Sequence, residues 1–368
     1  MLAPQLPDFP WDSLVGARQV AAAHPDGIVD LSVGTPVDPT PAVVQAALRG
    51  GADAPGYPTT HGSYALREAI SQWLHRRRRV AIDPAAILPV IGTKEMVAWL
   101  PTLLGARSLV GLPELAYPTY EVGALLAGAR PVRNDSTVGW GPSTPQVLWL
   151  NSPANPTGAV LPVPHLRKVV RWARARNVIV ASDECYAELE WTDEAPSLLS
   201  GDVCDHDHRG LLVLHSLSKR SNMAGYRCGF LAGDPQLVAD VLAVRKHAGM
   251  MVPAPVQAAA AAAYADDAHV GEQRERYRRR RDVLVAALVA AGFQIDHSEA
   301  GLYLWVTEGL PARETVARLA GIGVLCAPGD FYGPRGAEHV RIALTATDER
   351  VAAAAARLAH YPAPRTRA

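Results

Sequence analysis

Between residues 86 and 232 the chain repeats one pattern: a short apolar run, closed by polar or turn-forming residues, then a stretch with helical spacing. The apolar runs fall at 86–91, 108–112, 147–150, 178–181, 211–214 and 228–232. Each is too short for a stable helix and has no polar side, so each predicts a strand buried on both faces. Helical patterns at 63–76, 93–104 and 164–176 supply the cover. Short buried strands alternating with helices predict an α/β domain, with a mainly parallel central sheet flanked by helices. After about residue 257 the pattern changes. An alanine-rich helix, a long helix over 271–291, strands at 302–306 and 340–344, and helices at 312–320 and 348–360 predict a smaller α+β domain. The segment before residue 40 is rich in turn formers and lacks a long helical pattern. A chain of 368 residues has room for two cores. We divide it into a large domain, 43–270, and a discontinuous small domain, 1–42 and 271–368.

Charge and cysteine usage remove several function classes. Lys+Arg and Asp+Glu both number 36, so the chain has no net field to draw nucleic acid or anionic lipid. The basic runs at 76–79 and 278–281 lack aromatic interleaving and read as solvated helix faces. Cys185, Cys204, Cys228 and Cys326 are scattered, which suits a reducing compartment rather than a disulfide scaffold. Cys204, His206 and His208 match no standard zinc spacing, so no metal is expected. The first eleven residues show no basic-then-apolar leader pattern. The longest uncharged stretch, 248–265, is mostly alanine and carries Pro253, Pro255 and Gln257, so no membrane span is expected. These features predict a soluble cytoplasmic protein.

Four polar clusters fall at the ends of predicted strands, where open α/β sheets bind ligands. His215-Ser216-Leu217-Ser218-Lys219 is followed by Gly225-Tyr226-Arg227-Cys228-Gly229. Alone, a Ser-Lys pair is a surface turn. Ser182-Asp183-Glu184-Cys185-Tyr186 follows the strand at 178–181, and a strand-end acid alone is usually a cap. Asn151-Ser152-Pro153-Ala154-Asn155-Pro156-Thr157-Gly158 contains two turn dipeptides, yet the whole string is much rarer than its parts. Gly92-Thr93-Lys94 sits between a strand and a helix, where backbone N–H groups suit a phosphate or form an ordinary turn. Arg341 lies inside the apolar run of 339–343 and needs a partner there.

Together these strings resemble the class I/II aminotransferases, the fold-type I pyridoxal-phosphate enzymes, over most of the chain from about residue 33 to residue 341. The resemblance implies the large and small domains of that fold and pyridoxal 5'-phosphate as cofactor. It makes Lys219 the covalent anchor, held as an internal aldimine. Ser218, Arg227 and Ser216 become phosphate contacts, with Thr93 and Lys94 cradling the same group mainly through their backbones. Asp183 would pair with the pyridine nitrogen, while Asn155 and Tyr186 hold the ring oxygen. Glu184 takes a structural place. Tyr117 matches the aromatic residue that stacks on the ring, although a core aromatic explains it equally well. Arg341 would clamp the substrate α-carboxylate, with Gly34 in the loop beside it and Asn155 as a further substrate contact. Tyr57 would reach the phosphate of a neighbouring subunit, which implies a homodimer with shared sites.

The implied reaction is ping-pong transamination between an amino acid and a 2-oxo acid, with Lys219 moving the Cα proton. The strings at 26–39, 54–60, 94–101 and 218–225 resemble actinobacterial N-succinyldiaminopimelate aminotransferases of lysine and diaminopimelate synthesis. A long acidic substrate needs further cationic or amide groups, for which Lys94, His61 and Arg220 are candidates. Three alternatives stand beside this. They are an aminotransferase for aspartate, aromatic or histidinol-phosphate substrates, a C–S lyase on the same fold, and a non-catalytic ligand sensor.

Overall fold

The computed structural model describes residues 6–362. The ends of the expected small domain, 1–5 and 363–368, lie outside the described residues, as does the start of the segment read for a leader pattern. Among the described residues thirteen strands run in chain order. They are β1 (Val29–Asp30), β2 (Ile87–Val90), β3 (Leu109–Leu112), β4 (Arg130–Arg133), β5 (Val147–Asn151), β6 (Ile179–Asp183) and β7 (Leu211–Ser216). β8 (Gly229–Gly233), β9 (Gln294–Asp296), β10 (Tyr303–Thr307), β11 (Val324–Leu325), β12 (Ala327–Pro328) and β13 (Val340–Ala343) follow.

Seven strands form one sheet in the order β2-β8-β7-β6-β5-β3-β4. β7, β6, β5, β3 and β4 run parallel, and β8 runs against both of its neighbours. This is the mainly parallel sheet that the apolar runs predict. Its strands extend past those runs by the residues that matter for chemistry. β5 ends on Asn151, β6 on Asp183 and β7 on Ser216. β4 is an edge strand whose Arg-Pro-Val-Arg sequence carries no apolar run. A second sheet, in the order β12-β13-β10-β9, is antiparallel throughout. β1 pairs with β11 and ties the N-terminal segment to this part of the chain.

Helices cover both faces of the large sheet because their apolar residues recur every three or four positions. Helix Val163–Arg174 turns Leu166, Val169, Val170 and Ala173 inward. Helix Tyr64–Arg78 is capped by Ser63, whose hydroxyl accepts from Leu66 N at 3.3 Å. Its Trp73 is fully buried and donates Nε1–H to Glu188 at 3.0 Å. Helix Thr119–Leu126 packs on helix Thr93–Leu103 so closely that a Cβ at Gly123 would meet Val97 O at 2.6 Å. Helix Val15–Ala22 lies in the N-terminal segment, where the turn-rich sequence predicts no long helix. Around the small sheet a separate core forms, and it takes in Cys185, Tyr186 and Leu189 from the turn after β6. That turn is therefore gripped from both sides. No helix among the described residues is long and apolar enough to cross a membrane.

Candidate active site

Register decides which side chains meet. Asn151 pairs with Asp183, and Ser216 pairs with Gly229 at the start of β8. Val90, at the end of β2, pairs with the same Gly229. The ends of β5, β6, β7 and β2 thus lie along one edge, beside the start of β8. A cavity of about 660 Å³ opens there. Every residue that the sequence assigns to the cofactor or to the α-carboxylate lines it, except Tyr57. Tyr57 is 97 % exposed and lies outside the cavity of its own subunit.

The floor of the cavity is acidic. Asp183 is buried, with Oδ2 accepting from Tyr120 at 2.8 Å and Oδ1 from Cys185 N at 3.1 Å. Burial raises its pKa, and those hydrogen bonds only partly offset it. Among the described residues no cation pairs with it. Glu184, its neighbour, turns away and accepts from Leu198 N at 2.8 Å.

One end of the cavity is a ring of donors. Helix Thr93–Leu103 begins there, after Gly92 at φ +73°. That positive φ calls for glycine, and a Cβ there would also push against the tip of the Arg227 side chain. Ser216 and Ser218 share a hydrogen bond at 2.9 Å, and Arg227 takes a left-handed backbone at φ 55°. Thr93 Oγ1 lies 3.0 Å from Cys185 Sγ, which ties the helix start to the acidic turn.

The other end is built by distant parts of the chain. Arg341, on β13, is fully buried. It donates to Asn155 Oδ1 at 2.8 Å and to Ser32 O at 2.7 Å, and its Nε has no partner. Its guanidinium lies over the Tyr303 ring at 3.8 Å. Lys219 Nζ donates to Gly34 O. Burial lowers the Lys219 pKa; Arg341 and Arg227 add to that, while Tyr303 and Cys185 oppose it. The rim carries Phe9, Trp11 and Arg18 from the N-terminal segment. Sequence reasoning misses Tyr120, Tyr303 and these rim residues. Tyr120 follows Tyr117 by three residues, just inside the helix that begins at Thr119. His61 and Arg220 do not line the cavity. Arg220 is buried in an ion pair with Glu188 at 2.5 Å. Cys204 and His208 bond to backbone carbonyls, and no group of metal ligands occurs among the described residues.

Residues 26–358 match the family "Aminotransferase class I and II", and the chain belongs to it. A probable aminotransferase of Mycobacterium tuberculosis is 62% identical, over 96% of this chain and 85% of that protein. The 4-dedimethylamino-4-oxo-anhydrotetracycline transaminase OxyQ of Streptomyces rimosus is 56% identical, over 96% of this chain and 99% of that one. Among solved structures, a probable N-succinyldiaminopimelate aminotransferase of Thermus thermophilus superposes with a TM-score of 0.87 at 30% identity, covering 96% of this chain and all of that one.

Proposed function

We propose that this aminotransferase uses pyridoxal 5'-phosphate bound through Lys219 and moves an amino group between N-succinyl-LL-2,6-diaminopimelate and 2-oxoglutarate. The observation that carries the chemistry is the unpaired, buried Asp183 in one cavity with a desolvated Lys219, with a donor ring at one end and Arg341 at the other. A cationic pyridine nitrogen fits Asp183, and a phosphate fits the helix start beside Arg227. When bound, the cofactor supplies the electron sink that lets Cα lose a proton.

Each side chain then has a task. Lys219 Nζ would anchor the cofactor, and its free amine would carry the Cα proton. Asp183 keeps the pyridine nitrogen protonated, and Tyr120 holds Asp183. Asn155 and Tyr186 hold the ring oxygen, and Tyr117 covers the ring. Thr93, Lys94, Ser216, Ser218 and Arg227 bind the phosphate. Arg341 takes the substrate α-carboxylate beside Gly34. Tyr57 completes the phosphate site of a second subunit, so the working unit is a homodimer. We keep 43–270 as the cofactor domain, with 1–42 and 271–368 as the small domain. All four cysteines are buried and unpaired, which fits a cytoplasmic protein.

For the distal end of an acidic substrate, Lys94 stays a candidate and Arg18 replaces His61 and Arg220. Both line the cavity; Lys94 Nζ lies 5.4 Å from the Phe9 ring centroid, and Arg18 pairs with Asp30 at 2.8 Å. The OxyQ likeness and the aromatic rim of Phe9 and Trp11 favour a second reading, a transaminase for a bulky cyclic ketone. A substrate panel separates the two. N-succinyldiaminopimelate should exceed aspartate in kcat/KM by roughly 100-fold, the value of one well-placed charged contact. Preference for a polycyclic ketone would install the second reading. Pyruvate and ammonia released without an acceptor would make the protein a lyase.

A further inference from the structure

Tyr303 has no task in the mechanism above, yet it lines the cavity and touches both Arg341 and Tyr186. It opens β10 and is 3 % exposed. The Arg341 guanidinium carbon sits over its ring, 3.8 Å from the centroid. Its hydroxyl is 3.1 Å from the Tyr186 hydroxyl, and the two rings meet edge-on at 5.6 Å. A Cβ at Gly34 would run into the same hydroxyl. Glycine at 34 therefore leaves room for the phenol and presents its carbonyl to Lys219.

We propose that Tyr303 is a positioning residue that couples the carboxylate clamp to the cofactor-oxygen contact. Its ring fixes the plane of Arg341, and its hydroxyl donates to the Tyr186 oxygen. The direction of that bond follows from the reading of the site given above, on which this inference rests. Tyr186 spends its own proton on the cofactor ring oxygen, so its oxygen is left to accept. A phenol that receives a hydrogen bond is a stronger donor in turn.

Several titratable groups face Tyr303. Lys219 and Arg341 face it from the lysine segment and β13; Tyr186, Cys185, Tyr332 and Tyr277 face it from the other packed elements. Burial would raise its pKa, but Arg341, Lys219 and the hydrogen bond with Tyr186 together outweigh burial and hold it below the ordinary tyrosine value. A more acidic phenol donates more strongly. A substrate carboxylate that neutralises Arg341 weakens that pull, so carboxylate binding at one end is felt at the ring oxygen.

The test is a pH titration of the visible absorbance of the cofactor-loaded protein. Tyr303→Phe removes the donor and keeps the ring. Its titration midpoint should rise by roughly half a unit or more, because the anionic ring oxygen loses support. KM for amino substrates should stay within about threefold, since the ring still braces Arg341. Tyr303→Leu removes both functions and should add a roughly tenfold rise in KM. Tyr332→Phe, a phenol near Arg341 without contact to Tyr186, should leave the midpoint unchanged. An unshifted midpoint in Tyr303→Phe, or equal shifts in both Phe variants, overturns the coupling even if the Leu variant fails to fold. A wild-type protein that develops no cofactor absorbance overturns the reading of the site and this inference with it.

Discussion

The two ends of the cavity are built in opposite ways. The donor ring comes from the ends of β2 and β7 and the start of β8, so its groups are fixed by one sheet and spread over several donors. The carboxylate end hangs on one guanidinium, and its supports come from Ser32, Asn155 and Tyr303, far apart in the chain. A redundant end should lose binding in small steps, whereas an end built on one group should fail at a single substitution.

The strongest way to break this comparison is Arg341→Lys. A point charge replaces a planar fork, and kcat/KM for amino substrates should fall by roughly 100-fold. A loss under threefold would show that the clamp lies elsewhere. Gly92→Ala should be the largest effect at the donor end, because it strains a positive φ and drives a methyl into Arg227. Cofactor affinity should fall by roughly 30-fold in equilibrium titration. Tyr120→Phe leaves Asp183 with one hydrogen bond fewer and should weaken cofactor binding by roughly tenfold. Ser216→Ala, with Ser218 and Arg227 left in place, should cost only about threefold.

A pH profile sharpens the lysine's part. The Lys219 pKa is depressed by burial, so its neutral, nucleophilic form persists at lower pH than in a free lysine. Capture of cofactor by the apo-protein should therefore reach half its maximal rate below the ordinary lysine value of 10.5. The sign for stability follows. The unfolded chain binds the proton more tightly, so this group favours the folded state increasingly as pH rises through the depressed value, up to 10.5. A midpoint at or above 10.5 would mean that the amine is solvated.

The same contrast explains what could be read from the sequence. Lys219, Asp183, Asn155 and Arg227 stand in local strings at strand ends, and polar residues there announce themselves against apolar runs. Tyr303 and Trp11 stand beside other aromatics in apolar or proline-rich surroundings. Nothing local separates them from core residues, and only the packing of the small sheet and the N-terminal segment brings them to the cavity. Arg18 sits on a helix that the turn-rich composition concealed. β4 was illegible for the reverse reason, since an edge strand can alternate Arg, Pro and Val without an apolar run. Arg220 was drawn towards the substrate by its place beside Lys219, but its side chain leaves the site to neutralise the buried Glu188.

The central claim is that Lys219 holds a pyridoxal cofactor able to take an amino group. The most direct measurement is the visible absorbance of the cofactor-loaded protein before and after glutamate is added, in wild type and Lys219→Ala. Wild type should show a band that glutamate converts to the amine form of the cofactor, and the variant should show no lysine-linked band. A wild-type protein with no such band after incubation with pyridoxal phosphate, or a Lys219→Ala protein that converts like wild type, would contradict the claim.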